Sequence, residues 1–339
     1  MKYAARGPLR FRTGLVLAAI LAVLASAAVL VRHFTVEFVP QTRNKLLFLS
    51  DTQAPSFFET LFVRPDHNEE ATQKIFDRAA QEKGLAAAFM LGDVTRAASN
   101  DGNWKLVDGF LARLKGEGVP AFAAMGNHDY SWTSANGVRN FRKRFPQVQE
   151  LWYSVVIGPV AVIVLNSNFK ELSAGERKEQ MDYYQAALDQ YGADPDVRGI
   201  LVCCHHSPFT NGTVVGPTKK VETDFVPQFH KAKKGMLFMS GHSHAAEHFV
   251  IQGKDFLVLG GGGGLLHPCL TGKDCLYGDV FPIKDQRRLF HYVTVDIGDE
   301  GLTVSYHMLF VDLSNFHDVG EFTLKWPEAA APADPRPIR

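Results

Sequence analysis

The chain has 339 residues, 46% apolar and 21% charged, a globular balance that sustains a sizeable core in one large domain or two small ones. Its 36 Lys and Arg equal its 36 Asp and Glu, so the formal charge is zero and a nucleic-acid protein driven by a basic surface is excluded. The 13 histidines matter through their clustering rather than their number.

At the N-terminus, Lys2, Arg6, Arg10 and Arg12 precede an uninterrupted apolar stretch from Gly14 to Val31, closed by Arg32 and His33. About 18 apolar residues just span a hydrocarbon core as a helix. Basic charge concentrated before the span leaves the N-terminus in the cytoplasm and exports the rest. Ala25-Ser26-Ala27 also fits a small-x-small cleavage pattern. Residues 1–33 therefore read either as a retained transmembrane anchor or as a cleaved signal segment, and both place the body outside the cytoplasm, anchored or secreted. With one segment able to span a bilayer, a pore or transporter is excluded.

Residues 34–45 read as a linker and 46–325 as the folded domain. Within it, an apolar strand, a loop holding Asp or His, and a helix recur. Leu46–Ser50 ends at Asp51. A helix over Glu69–Lys83 leads to strand Ala86–Leu91, ending at Gly92-Asp93. A helix over Trp104–Lys115 leads to Val119–Met125, ending at Gly126-Asn127-His128-Asp129. Val160–Leu165 is a strand and Glu176–Gln190 a helix; Ile200–Cys204 then ends at His205-His206, and Met236–Ser240 at Gly241-His242-Ser243-His244. Strands alternating with helices predict an α/β fold, with polar residues at the carboxyl ends of strands, where open α/β sheets place their sites. Phe256–Leu259, Phe290–Val295 and Leu302–Leu309 follow with little helix between them, which predicts a second, more antiparallel sheet. The Ala- and Pro-rich tail, 326–339, reads as disordered. Cys269 and Cys275 bracket a five-residue loop and are either a local disulfide or two loop thiols. Cys203 and Cys204, in an apolar run, read as packed thiols.

Asp51, Asp93, Asn127, His206, His242 and His244 each follow a strand, so all can converge on one rim. Two divalent cations take carboxylate, amide-oxygen and imidazole ligands, at least one carboxylate bridging them. A hydroxide held there then attacks phosphorus in line.

Gly92-Asp93, Gly126-Asn127-His128-Asp129, His206-Ser207-Pro208 and Gly241-His242-Ser243-His244, in that order, resemble the signature of the calcineurin-like metallophosphoesterases. The resemblance spans about residues 45 to 265 and includes the glycine run Gly260–Gly264, which resembles the family's loop after its last histidine motif and reads as a close backbone approach to the site. It implies a four-layer α/β/β/α sandwich of two mixed sheets and a hydrolase acting on a phosphate monoester or diester. A location outside the cytoplasm makes small-molecule or lipid-linked phosphoesters reachable, and the balanced charge predicts no nucleic-acid partner. The resemblance also implies two divalent metal ions, Mn, Fe or Zn. Asp51 and His244 would hold the first ion, Asp93 would bridge, and Asn127, His206 and His242 would hold the second. His205 is the alternative to His206, since successive strand residues face opposite ways. His128 would face the phosphate and protonate the leaving oxygen, with Asp129 orienting its imidazole.

The sequence departs from the family in one place. The usual Asp-x-His of the first motif reads Asp51-Thr52-Gln53, and a Gln oxygen is a weaker transition-metal ligand than imidazole. Gln53 is therefore either a metal ligand or a hydrogen-bond donor to one. A non-catalytic binding or scaffold member with a weakened first site is the competing reading. The chain also resembles the acid phosphatase branch near the last histidine motif, but Val94-Thr95-Arg96 stands where that branch carries a tyrosine ligand, which argues against a tyrosinate–iron site. Arg96 reads as a phosphate contact or a solvated charge, and His267 as a surface-loop histidine.

Overall fold

The computed structural model describes residues 35–37, 43–55, 60, 67–148 and 150–328. The expected anchor, residues 1–33, lies outside them, as does the tail beyond Glu328; among the described residues no helix is long and apolar enough to cross a membrane.

The strands are β1 (Thr35–Glu37), β2 (Lys45–Leu49), β3 (Leu85–Leu91), β4 (Ala121–Ala124), β5 (Tyr153–Ile157), β6 (Val160–Val164), β7 (Gly199–Cys203), β8 (Gly235–Ser240), β9 (Ala246–Ile251), β10 (Lys254–Leu259), β11 (His291–Ile297), β12 (Gly301–Leu309) and β13 (Phe316–Lys325). The helices are α1 (Asn68–Ala79), α2 (Lys105–Gly116), α3 (Ser134–Arg144), α4 (Ala174–Ala193), α5 (Lys219–Asp224) and α6 (Val226–Lys231). They build the expected α/β architecture of two mixed sheets with helices. One sheet has seven strands in the order β1-β5-β6-β7-β8-β10-β9, the other six in the order β13-β12-β11-β2-β3-β4.

Each sheet draws on both early and late chain, so the late strands do not form a sheet of their own. β10 runs parallel beside β8, while β11 pairs antiparallel with β2. The reason is edge protection. β3 covers one side of β2, and the other side would be an open ladder until the β11–β12–β13 meander pairs with it. Tyr306 on β12 ties the sheets together by donating to the carbonyls of Glu247 (3.1 Å) and Val258 (3.2 Å) on β9 and β10.

β3, β6, β7 and β8 are buried along their whole length, as strands covered on both faces must be; β3 reads Leu-Ala-Ala-Ala-Phe-Met-Leu. Phe48, Phe89 and Phe122 stack across β2, β3 and β4 with centroids 5.1 and 5.3 Å apart, and burying each contributes roughly 1.5–3 kcal/mol. A capping box at Ser173 and Glu176 starts α4. Two boundaries differ from expectation. Thr35–Glu37, within the stretch read as linker, pairs parallel with β5. Trp326 belongs to the body: its Nε1 donates to the Gly298 carbonyl (3.2 Å) and the Arg198 guanidinium lies 4.7 Å over its ring. All four cysteines are free thiols, and Cys275 Sγ is directed at the Leu270 carbonyl rather than at Cys269.

Candidate metal centre

β2, β3 and β4 of one sheet and β7 and β8 of the other deliver their carboxyl ends to one place. The chain turns sharply there: Asp51 (φ 57°), Asp93 (48°), His242 (69°) and His244 (45°) all lie in the left-handed region. Non-glycine residues enter that region at a cost and cluster at functional sites. The turns are fastened to one another, since the Asp51 amide donates to the Gly92 carbonyl (3.1 Å), the His242 amide to Asp51 Oδ2 (2.9 Å) and the His128 amide to Asp93 Oδ1 (2.8 Å). This closeness requires the motif glycines. A Cβ at Gly126 would lie 2.1 Å from Asp93 Oδ1, and one at Gly241 1.9 Å from Ser50 Oγ.

Hydrogen bonds to backbone carbonyls fix two imidazoles. His244 Nδ1 lies 2.6 Å from the Leu265 carbonyl and His205 Nδ1 2.9 Å from the Leu91 carbonyl. A carbonyl only accepts, so each Nδ1 carries the proton and, in the neutral ring, each Nε2 presents a bare lone pair. Asp51 Oδ1 lies 3.2 Å from His244 Nε2 and is buried without a donor. With its amide turned so that Nε2 donates to the backbone carbonyls of Asp93 (3.0 Å) and Asp51 (3.3 Å), Gln53 aims its oxygen at His244 Nε2 (3.1 Å), which has no proton to give in the neutral ring. Around His205 Nε2 stand Asn127 Oδ1 (3.1 Å), His242 Nδ1 (3.2 Å) and Asp93 Oδ2 (3.4 Å). Acceptors facing acceptors in a buried space are unfavourable unless a cation sits among them. The donor set of carboxylate, amide oxygen and imidazole fits two divalent cations, one beside Asp51, Gln53 and His244, the other beside Asn127, His205, His206 and His242, with Asp93 between. The local field stabilises positive charge at this point, whether a proton or a cation carries it. Burial lowers the basicity of His205, but the Asp93 charge more than offsets it and lifts the imidazole to about 9. Burial alone would raise Asp93, and the surrounding histidines, His205 foremost, hold it well below the usual carboxylate range.

The sequence pattern of the calcineurin-like phosphoesterases matches residues 45–246, more than half of the chain. The chain belongs to that family. No curated protein sequence matches it. Among solved structures it resembles GAP50, the anchor in the inner membrane complex of Plasmodium, at a TM-score of 0.61 and 12% identity over 84% of this chain and 90% of that one. It also resembles a dimetal phosphatase from Danio rerio, at a TM-score of 0.56 and 13% identity over 84% of this chain and all of that one. These likenesses are of fold.

Of the expected site residues, His206 and its alternative His205 both lie in the cluster, and with His242 their ligand atoms fall within 4.8 Å of one another. His205 Nε2 faces Asp93, Asn127 and His242, while His206 Nδ1 lies 2.8 Å from the Ser167 hydroxyl. His206 remains at the edge of the cluster, its ring 4.3 Å from that of His242. Asp129 does not orient the His128 imidazole. Its carboxylate accepts from the amides of Gly126 (2.9 Å), Thr95 (3.2 Å) and Val94 (3.3 Å), which pins the Asn127-His128 turn to the loop carrying Asp93. Burial first, then the Asp93 charge, raises the Asp129 carboxyl. His128 is half-buried at the mouth, its Nε2 4.0 Å from Asp93 Oδ2. His267 is buried, not a surface residue, and stacks on His244 at 4.3 Å and 14°. Arg96 is exposed beside Thr95. The sequence reading passed over Asn166-Ser167-Asn168, a polar run just past β6. Its signal was the one used elsewhere, polar residues at a strand's carboxyl end.

Proposed function

We propose that the chain is a phosphoesterase that hydrolyses an organic phosphate ester at a two-cation centre. The observation that carries this reading is the pair of imidazoles, His205 and His244, locked by backbone carbonyls with their bare nitrogens facing carboxylate and amide oxygens. When bound, divalent cations of the Mn, Fe or Zn type supply Lewis acidity toward the phosphoryl group and lower the pKa of the attacking water. Asp93 holds both halves of the site in one frame. Gln53 contributes a neutral oxygen where the family usually has imidazole. His128, at the mouth, hands a proton to the departing oxygen, and the hydrogen bond from its backbone N–H to Asp93 Oδ1 fixes where the residue stands. Asp129 keeps that turn in place from behind.

The test is turnover of aryl phosphates by metal-reconstituted protein together with metal analysis. Near two ions per chain, loss of turnover in Asp93→Asn, and a fall of about 10²–10⁴-fold in kcat for His128→Ala are the expected results. Absence of turnover with manganese, iron and zinc alike, with one ion or none bound, would instead favour a binding or scaffold role, a reading that the likeness to an anchor protein supports. The apolar stretch Gly14–Val31 behind a basic flank supports a body held outside the cytoplasm, where small-molecule or lipid-linked phosphoesters are the reachable substrates. A C-terminal reporter that is active only after export tests this placement, and a silent reporter refutes it.

A further inference from the structure

Among the described residues, two cavities border the ligand cluster, and they share no lining residue. One, of about 240 Å³, is lined by Gln53, Ala54, Thr95, Arg96, Lys105 and Leu106, among others. The other, of about 410 Å³, is lined by Asn127, Tyr130, Phe169, His206, Thr218 and Lys220, among others. Each touches a different half of the site. Gln53 stands against the Asp51–Asp93–His244 group, while His206 belongs to the His205–His206–His242 group and Asn127 contacts His205. Asp93 separates the two.

A phosphate monoester has a single organic arm and needs one such recess; a diester has two arms. We propose that the substrate is an organic phosphodiester with one arm in each cavity, an inference that rests on the phosphoesterase reading above. The larger cavity is built for a ring-bearing arm. Phe169 forms its wall, backed by Phe225 with centroids 5.4 Å apart and with Lys220 Nζ 4.9 Å from the Phe169 centroid. This is the leaving-group side, because Asn127 and Tyr130 belong to the turn that carries His128. The smaller cavity presents Arg96 and Lys105, with the Glu69 carboxylate beside them, to a polar arm that stays on phosphorus. In the reaction the water oxygen bonds to phosphorus as the ester P–O bond on the Phe169 side breaks. The departing oxygen takes the His128 proton, and a proton from the water restores the imidazolium through solvent. The products are a monoester and an alcohol.

The experiment compares bis(p-nitrophenyl) phosphate with p-nitrophenyl phosphate, using the metal-reconstituted full chain and two cavity-filling variants, Leu106→Trp and Ala54→Trp. Ala54 is exposed, so its replacement tests the cavity even where Leu106→Trp fails to fold. The wild type is expected to favour the diester in kcat/KM, and each variant to lower the diester-to-monoester ratio at least tenfold at unchanged metal content. A wild type that favours the monoester, or a ratio unmoved by both variants, overturns the diester proposal alone. Inertness toward both esters with two ions bound overturns the phosphoesterase reading and the proposal with it.

Discussion

Glu247→Gln offers a measure of how the lobe behind the site is held. Glu247, on β9, is fully buried. Its Oε1 accepts from the Asn211 amide (2.8 Å) and its other oxygen from the Thr210 hydroxyl. Burial raises its carboxyl to about 7 against an ordinary 4.5, with Asp279 adding to the rise and Arg288 opposing it. Arg288 offsets little because it already donates twice to Asp279, at 3.2 Å each. The folded state therefore binds a proton that the unfolded chain has released between these two values, and the stability this confers is complete below 4.5 and lost as pH climbs through about 7. With those values the accumulated loss is roughly 1 kcal/mol at about pH 5.5 and roughly 3 kcal/mol at about pH 8. Gln is neutral throughout, so the stability of the variant relative to wild type should improve by roughly 2 kcal/mol between those two pH values. Urea unfolding at both pH values with equal slopes reads this directly. A difference between variant and wild type that does not change with pH would refute the reasoning, because packing effects of the substitution carry no pH dependence.

Replacing the neighbouring histidines in turn should separate their roles. His205→Ala loses about tenfold or more in affinity for one ion, while His206→Ala keeps both, as metal titration followed by elemental analysis will show. Gly241→Ala drives a methyl into Ser50 and Asp51, so thermal unfolding should reveal a loss of about 1–3 kcal/mol together with impaired ion uptake. Gln53→His should shift preference toward zinc over manganese by about tenfold in competition binding, since imidazole suits borderline metals better than an amide oxygen does. An unchanged preference would place the Gln53 oxygen outside the coordination sphere.

The sequence located the site because ligand chemistry is local. Asp51, Asp93, Asn127, His242 and His244 each end an apolar run, and short motifs in a fixed order carry the residue types a two-cation centre needs. The helices over 68–79, 105–116 and 174–193 were readable for the same reason, since periodicity and capping are properties of adjacent residues. Partner choice is not local. Nothing in Phe256–Leu259 or Phe290–Val295 shows that one strand joins β8 and the other β2. β13 was missed because its burial does not alternate cleanly and its register with β12 slips between Val304 and Tyr306.

The choice between His205 and His206 shows where a local rule was available but its decisive input was tertiary. Alternation assigns the two rings to opposite faces, yet it selects one only if the strand is known to continue as far as the pair. It does continue: the Cys204 amide donates to the Met239 carbonyl, and the Gly241 amide to the His205 carbonyl, so pairing with β8 runs past the end of β7. Cys203 and His205 then share a face, and a Cβ on Gly92 would sit 2.5 Å from the His205 ring, on the side from which Asp93 approaches. His206 turns Nδ1 toward Ser167 beyond β6, with its ring still 4.9 Å from that of His205 and 4.3 Å from that of His242. Spacing to Pro208 counts residues along the chain. Which ring faces Asp93 is set instead by a ladder between two strands and by a glycine in the opposite sheet.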